Sequence, residues 1–512
     1  MARVVASGDI DKLCSLLSGT DAKVLAPTDD GYEKAIERWS KAAEKPAGVA
    51  IVPTDASQVS KIVKFLASEK LDLAVRGGGH STAGQSSTNG GVLIDLRGIR
   101  HIAVDPASKT VKAGGGANWG EVDAGLAKHG LATVGGTVSD TGVGGLTLGG
   151  GYGWLTGKHG LTIDNLLGVT IVLANGEITK ASKEENPDLF WAVRGAGHNF
   201  GVVTEFVFQA FKQGDMWAGI LAFPPAPPIV EKLVAVVNDL FVGPKDGKGK
   251  TKLEGRGMGG LVLKRPPDAG GRVVLALAAI FDGTEEEGKK AFKALYDIGP
   301  VQDTMEQVPY YIANQMLHGP HGYRVSMKGA VYPLPLQPEF VKEILGKYSK
   351  FTDENPDMAG STIIYELFDP YVMNTRASNE EMSFANRGWH MNANICPYWT
   401  KPENDALGRQ WARDVSATFD KWFEKAGRAQ RAGDYGTVLA YGNYDRQCTF
   451  STSLPYRFSK MLFQYANLHL ADCDSKGSND LFGLNYPRLQ KLKAQYDPGN
   501  VFNKQFAVTP KV

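Results

Sequence analysis

Two glycine-rich stretches hold the residues whose types and spacing are best suited to chemistry. One is Arg76-Gly77-Gly78-Gly79-His80-Ser81, and the other runs Gly142-Val143-Gly144-Gly145-Leu146-Thr147-Leu148-Gly149-Gly150-Gly151-Tyr152-Gly153. Successive backbone N–H groups without a Cβ in the way form nests for phosphate oxygens, and two such loops can wrap a pyrophosphate. Either loop alone reads as a set of tight turns. Together they predict a dinucleotide held without a Rossmann fold. Glycine totals 61 of 512 residues, well above the usual ~7%, and it concentrates at 77–91, 114–120, 135–160 and 195–201.

Other familiar patterns fail on context. Gly255-Arg256-Gly257-Met258-Gly259-Gly260 fits G-x-G-x-x-G, but it precedes the strand-like Leu261-Val262-Leu263 instead of joining a strand to a helix. Gly249-Lys250-Thr251 resembles the end of a phosphate-binding P-loop, yet Pro244 occupies the position of its first glycine. The segment His318-Gly319-Pro320-His321-Gly322 has no carboxylate or cysteine near it in sequence, so no metal is expected. Cys14, Cys396, Cys448 and Cys473 form no C-x-x-C pair and read as buried small apolar residues.

Length and composition bound the rest. A chain of 512 residues suggests two or three domains. Lys+Arg is 56 against Asp+Glu 55, which provides no field for a polyanion and argues against a nucleic-acid partner. No apolar run approaches the length of a membrane span. Asp9, Asp11 and Lys12 interrupt what a signal peptide would need, and there is no N-x-S/T acceptor. A cytoplasmic address without membrane attachment is therefore expected.

The elements that must position these loops follow from periodicity. Residues 48–52 read as a strand, Asp55 caps a helix carrying Val59, Ile62, Val63 and Leu66 on one face, and Leu71, Leu73 and Val75 alternate as a strand running into the first glycine loop. Strands are expected at 92–96, 101–104, 109–113, 168–174 and 202–208, with a helix from Asn118 to Gly130. Residues 212–255 read as a Pro cluster, a helix at 229–241 and a Gly/Lys loop. Strands at 261–264, 272–280, 326–332, 361–368 and 389–396 alternate with helices at 285–296, 337–350 and 402–425. That pattern predicts an α+β domain with helices on one face of a sheet.

Five ordered segments give the chain a resemblance that covers almost its whole length: 76–81, 137–166, 191–206, Tyr441-Gly442-Asn443-Tyr444-Asp445 and 482–502. It resembles the FAD-linked oxidases of the vanillyl-alcohol-oxidase and p-cresol-methylhydroxylase superfamily, in the berberine-bridge-enzyme-like branch. The resemblance implies an α+β fold with a two-lobed FAD-binding domain of p-cresol-methylhydroxylase type (1–211), a substrate-binding domain with a large antiparallel sheet (212–440) and a C-terminal segment (441–512) that returns to the first domain. It also implies FAD contacts from Arg76, Gly77, Gly78, Gly79, His80, Ser81, Val138, Ser139, Gly142, Gly144, Gly145, Gly150, Gly153, Gly201, Val203, Asn443 and Asn485. His80 matches the histidine that bonds the flavin 8α-methyl carbon, with cationic Arg76 favouring the anionic intermediate of that alkylation. Val138 stands where many relatives carry a cysteine bonded to flavin C6, so a single covalent link and a smaller substrate than an oligosaccharide are expected.

The implied activity is oxidation of a small alcohol or amine, with O2 as acceptor and peroxide as product. The alternatives are a dehydrogenase with another acceptor and a flavin-binding protein without turnover. Thr141 matches the position that gates oxygen. Such chemistry needs a proton acceptor. Tyr441 and Tyr444 are the leading candidates, on the expectation that neighbouring cations lower a phenol pKa. Alternation along Trp389–Asn394 puts His390, Asn392 and Asn394 on one face, and Glu366 on the preceding strand is expected to join them. The chain is expected to be a monomer or a homodimer.

Overall fold

The computed structural model describes residues 2–244, 249–266, 269–377, 380–426, 441, 443–444, 478, 481–504 and 506–511. Three sheets organise it. In the first, strands lie in the order Lys23–Leu25, Val49–Val52, Val92–Asp95, Leu73–Arg76, the last three mutually parallel. Val49, Ala50, Ile51 and every residue of Val92–Asp95 are buried, as expected for parallel strands covered on both faces. The covering helix, Ala56–Ser68, starts where Asp55 Oδ1 accepts the Gln58 N–H at 2.9 Å, and it buries Val59, Ile62, Val63 and Leu66. Strand Leu73–Arg76 ends at the first glycine loop, which places that loop at the sheet's C-terminal edge.

The second sheet is antiparallel, in the order Ile102–Asp105, Thr110–Gly114, Val202–Gln209, Leu166–Val172, Ile178–Ser182. Its core also takes in Leu489 and Leu492 of the C-terminal helix Tyr486–Tyr496, packed with Phe206 and Phe208. That helix is pinned by Lys493, which is fully buried. Its three protons go to Asn199 O (2.7 Å), Phe502 O (2.7 Å) and Asp497 Oδ2 (2.6 Å), so the charge is paired and every donor satisfied.

The third sheet is the largest, all antiparallel, with the path Gln302–Asp303, Asp215–Phe223, Val274–Phe281, Gly257–Lys264, Thr362–Leu367, His390–Cys396, Lys328–Pro333, and with Glu306–Pro309 also paired to Asp215–Phe223. Helices Pro227–Phe241, Pro338–Glu354 and Asp405–Lys425 share one core with it. Ile363, Tyr365 and Leu367, like Met391, Ala393 and Ile395, point into that core. Alternation therefore sends Ile364 and Glu366, and His390, Asn392 and Asn394, to the opposite face. The α+β architecture with a large antiparallel sheet is as expected. Among the described residues no helix is long and apolar enough to cross a membrane.

Several local expectations are corrected. Strand Asp215–Phe223 lies in the 212–255 segment, for which a Pro cluster, a helix at 229–241 and a loop were expected but no strand. Its Ala218, Gly219 and Ala222 dilute the β-branched signal, while near-complete burial between two partners makes it a strand. The second glycine stretch is not all loop, because Val143–Leu148 is helical. The helix expected over 285–296 breaks at Phe292, whose ring is buried. Cys396 is buried but Cys14 is exposed, and Cys448 and Cys473 lie outside the described residues.

One buried contact joins helix Trp119–Ala127 to the segment after helix Tyr310–Ala313. Asn314 Nδ2 donates to Asp123 Oδ2 at 2.6 Å, and both side chains are enclosed. Burial pushes the Asp123 carboxyl up from 3.8 to about 7 despite that hydrogen bond. The folded protein thus prefers protonated Asp123, and the associated stability, full below pH 4, is lost as pH rises through about 7. Asp123→Asn should remove this dependence: in denaturant titrations the variant gains on the parent by up to about 1.4 kcal/mol per pH unit across that window. A difference independent of pH would refute the assignment.

Candidate active site

A cavity of about 280 Å³ opens between the first two sheets and the free face of the third. Gly77, Gly78, Gly79, His80 and Ser81 line one side, and Val138, Thr141, Gly142, Gly144 and Gly145 the other. Gly201 and Val203 contribute from the second sheet, and Tyr441, Asn443 and Tyr444 close the wall beside Asn394. The structure therefore gathers in one place most of the residues proposed from sequence.

The two glycine loops touch through their backbones. A Cβ on Gly78 would stand 2.5 Å from Gly142 Cα, and one on Gly142 would stand 2.4 Å from Gly78 N. No side chain fits at either position. Gly145, by contrast, lines the cavity with nothing within 4 Å of where its Cβ would lie. The cradle is thus bounded by bare backbone and opens onto space that a larger residue would occupy.

His80 is held at the cavity wall by stacking on Trp39, with ring centroids 4.2 Å apart and planes at 14°. Its Nε2 is enclosed and makes no hydrogen bond, since Asp140 Oδ1 lies 3.6 Å away. An imidazole at the wall of a bare-backbone cradle, its Nε2 without a hydrogen bond, suits a nucleotide cofactor bonded or apposed there. Burial alone would raise the Asp140 carboxyl, but His80, His318 and His321 outweigh it and hold it down at about 2. The carboxylate that the sequence around His318 and His321 lacks is Asp140, brought there by the fold: His321 Nε2 is 2.8 Å and His318 Nε2 3.3 Å from its Oδ2.

Opposite lies a polar cluster on the large sheet. Tyr444 packs over Gly329, whose missing Cβ would meet the Tyr444 Cβ at 2.9 Å, and its hydroxyl donates to Glu366 Oε1. Glu366 Oε2 is enclosed without a partner, and burial lifts the Glu366 carboxyl to about 7 against the lowering effect of Tyr444. Tyr441 and Tyr444 meet edge to face at 4.9 Å. Asn443 Nδ2 donates to the Tyr441 hydroxyl oxygen at 2.8 Å and to Leu146 O at 2.9 Å, tying this segment to the second glycine stretch.

Some site expectations fail. Burial pushes both Tyr441 and Tyr444 upward, and Glu366 adds to it, where lowering by cations was expected. Arg76 turns beneath its loop, donating to Ala35 O at 2.9 Å and lying 3.6 Å from Asp95, so it braces the first sheet and does not face the cavity. Ser139 faces His318, Gly150 and Gly153 pack against Phe384 and Gly135, and Asn485 donates to Ser383 O at 3.1 Å; none of these lines the cavity. His390 and Glu366 sit behind the wall, and burial drops His390 to about 4, leaving it neutral beside Asn386 at 3.2 Å. Sequence reasoning missed Trp39, Tyr152, Asn503 and Lys504. Tyr152 stood inside a quoted motif and was legible as an aromatic among glycines, whereas the other three carry no local signal.

Comparison with known proteins decides the family. A family model described as FAD binding domain matches residues 47–182, and one described as berberine and berberine like matches 465–508. The FAD-linked oxidoreductase pgmH of Aspergillus terreus is 30% identical over 98% of this chain and 96% of its own length. The chain belongs to the berberine-bridge-enzyme-like FAD-linked oxidoreductases. Its relatives include the (R)-6-hydroxynicotine oxidase of Paenarthrobacter nicotinovorans, 38% identical over 45% of this chain and 50% of that one. The fold matches solved 6-hydroxy-D-nicotine oxidase from Arthrobacter nicotinovorans (TM-score 0.76, 23% identity, 96% of this chain and 98% of that). It also matches the H174A variant of berberine bridge enzyme (TM-score 0.77, 19% identity, 99% and 100%). This FAD-linked oxidoreductase therefore carries FAD, and the cradle is where its residues fit that group.

The two kinds of glycine in the FAD-linked oxidoreductase should respond differently to alanine. Gly78→Ala forces backbone apart and should cost about 1–3 kcal/mol of stability as well as FAD. Gly145→Ala meets no protein atom and should keep the apoprotein melting temperature while lowering FAD per chain. Thermal melts with flavin absorbance on both variants check this, and equal melting losses would contradict it.

Proposed function

We propose that this enzyme is an oxidase of a small alcohol or amine that passes electrons to O2 to give H2O2, with FAD joined covalently through His80 alone. The observation that carries the reading is Tyr444 at the cavity wall, paired to Glu366 behind it. Bound FAD supplies the two-electron acceptor that takes hydride from a substrate carbon. The glycines of the two loops, with His80, Gly201 and Val203, are the residues that would hold it.

Taking hydride from an alcohol or amine carbon requires that the O–H or N–H proton leave as well. Tyr444 presents its hydroxyl at the wall and already directs its proton to Glu366 Oε1. A substrate proton can pass to the Tyr444 oxygen as the Tyr444 proton moves to Glu366. Burial keeps the phenol from ionising by itself, whereas a carboxyl at about 7 is poised to accept a proton near neutrality. Glu366 is thus the terminal acceptor and Tyr444 the group touching substrate. Tyr441, fixed by Asn443, shapes the same wall. Thr141 lines the cavity with nearly the volume of valine, the size that the oxidase reading requires at this position. Support also comes from relatives and fold neighbours named as oxidases, of 6-hydroxynicotine and of chitooligosaccharides.

The decisive experiment screens alcohols, amines, phenols and sugars for anaerobic bleaching of the flavin, then readmits air and measures peroxide. Bleaching followed by stoichiometric H2O2 is expected. Reoxidation only by a quinone would make the enzyme a dehydrogenase, and no bleaching by any class would remove the oxidase reading. With a substrate in hand, the rate of flavin reduction should rise with pH through about 7 and then level as Glu366 ionises. Glu366→Gln should abolish that limb and slow reduction by roughly 10²–10⁴, while an unchanged pH profile would assign the proton to another group.

The covalent link has its own test. Acid-precipitated parent protein should stay yellow, with the mass of FAD on the peptide carrying His80, whereas His80→Ala should release all flavin to the supernatant. Flavin retained by the alanine variant would place the bond elsewhere.

A further inference from the structure

Three side chains that the redox reading does not use converge at the lip of the cleft. His318 and His321 lie on the loop after helix Tyr310–Ala313, and Asp140 comes from the loop between the two halves of the FAD cradle. Some 180 residues of chain separate the two arms, as the spacing from Asp140 to His318 shows. One ligating atom from each of the three lies within 4.8 Å of the others. The imidazoles face Asp140 through Nε2, at 3.3 Å for His318 and 2.8 Å for His321, and their ring centroids are 6.2 Å apart. We propose that Asp140, His318 and His321 form a binding site for a divalent first-row transition ion such as Zn2+ or Cu2+, joining the cofactor-binding loop to the loop of the substrate domain.

The geometry suits such an ion. Bonds of ~2.0–2.2 Å to imidazole nitrogen and carboxylate oxygen place neighbouring ligand atoms roughly 2.8–3.6 Å apart across octahedral and tetrahedral shells. The two nitrogen-to-oxygen separations, 2.8 Å for His321 and 3.3 Å for His318, both fall within that range. Two imidazoles with one carboxylate select Zn2+, Cu2+ or Ni2+ over Ca2+ or Mg2+, which prefer all-oxygen shells. His318 has an outer partner of the kind that fixes a ligand's tautomer: its Nδ1 is 3.4 Å from Ser139 Oγ, and a proton donated there leaves the Nε2 lone pair toward Asp140. Asp140 divides its oxygens, with Oδ2 toward the two loop histidines and Oδ1 toward His80 at 3.6 Å. His318 and His321 are themselves half-exposed and exposed, so an ion reaches them from solvent and leaves coordination positions open to water.

The site stands apart from the Tyr444–Glu366 pair and its three residues do not line the cavity; its one contact with the oxidase proposal is Asp140 Oδ1, which faces His80. The test uses FAD-loaded enzyme without an affinity tag, stripped with chelator and dialysed. Calorimetric titration with Zn2+ should show one equivalent per chain. Asp140→Asn and His321→Ala should each weaken binding by roughly 10-fold or more, and the exposed-residue control His129→Ala should leave it unchanged. Because Asp140 sits in the cofactor loop, the double variant His318→Ala/His321→Ala on the exposed loop provides the independent arm. With Cu2+, electron paramagnetic resonance should show coupling to two imidazole nitrogens in the parent and to none in the double variant. Absence of one-to-one Zn2+ binding in the parent, or binding and nitrogen coupling that survive the double variant, would overturn the proposal.

Discussion

The site depends on the contact between Gly78 and Gly142. Two backbone segments meet there with no room for a methyl group on either, so the loop that ends the parallel strands and the loop that opens helix Val143–Leu148 are fixed against each other without intervening side chains. Close-packed backbone leaves neighbouring N–H groups available for a phosphate-bearing ligand, because no Cβ shields them. His80, Ser81, Val138 and Thr141 inherit their places in the cavity wall from this one approach. The same junction carries Asp140 to the histidines on the loop after helix Tyr310–Ala313.

The opposite wall is ordered by a different constraint. Helices cover one face of the large sheet, and the alternation that buries Ile363, Tyr365 and Leu367 leaves Glu366 no choice but the other face. There it is short of water and has a single hydroxyl donor, which is why its carboxyl rises to about 7. A buried acid of this kind destabilises the fold unless a function or a partner retains it. Tyr444 is that partner, held by its fit over Gly329, while Asn443 binds the same segment to Leu146. Two walls built by unrelated parts of the chain thus bring a bare-backbone cradle and the Tyr444 hydroxyl, paired to buried Glu366, to one cavity.

The sequence by itself determined the parts that are local. Glycine spacing marked both loops, since a run of residues without Cβ is visible wherever it occurs. The cap at Asp55, the apolar stripe on Ala56–Ser68 and the alternation of Thr362–Leu367 and His390–Cys396 are periodicities of 3.6 and 2 that need no neighbours to be read. Quoted motifs likewise sufficed for the family and for FAD. Strand Asp215–Phe223 escaped because small residues hide a strand whose evidence is its burial between partners.

Only the tertiary structure decided which way side chains turned and what met across long sequence distances. Arg76 stands beside His80 in the chain yet points away, because Asp95 and the carbonyl of Ala35 hold its guanidinium beneath the loop. Asn485 and Gly153 belong to recognisable motifs but pack against protein, Asn485 on the carbonyl of Ser383 and Gly153 on Gly135. The Tyr444 phenol is raised where lowering was expected, and the Glu366 carboxyl is raised with it, for a physical reason that residue type cannot carry: a pKa is set by burial and by the charges nearby, and both come from packing. His318, His321 and Asp140 became a cluster only when the chain closed on itself.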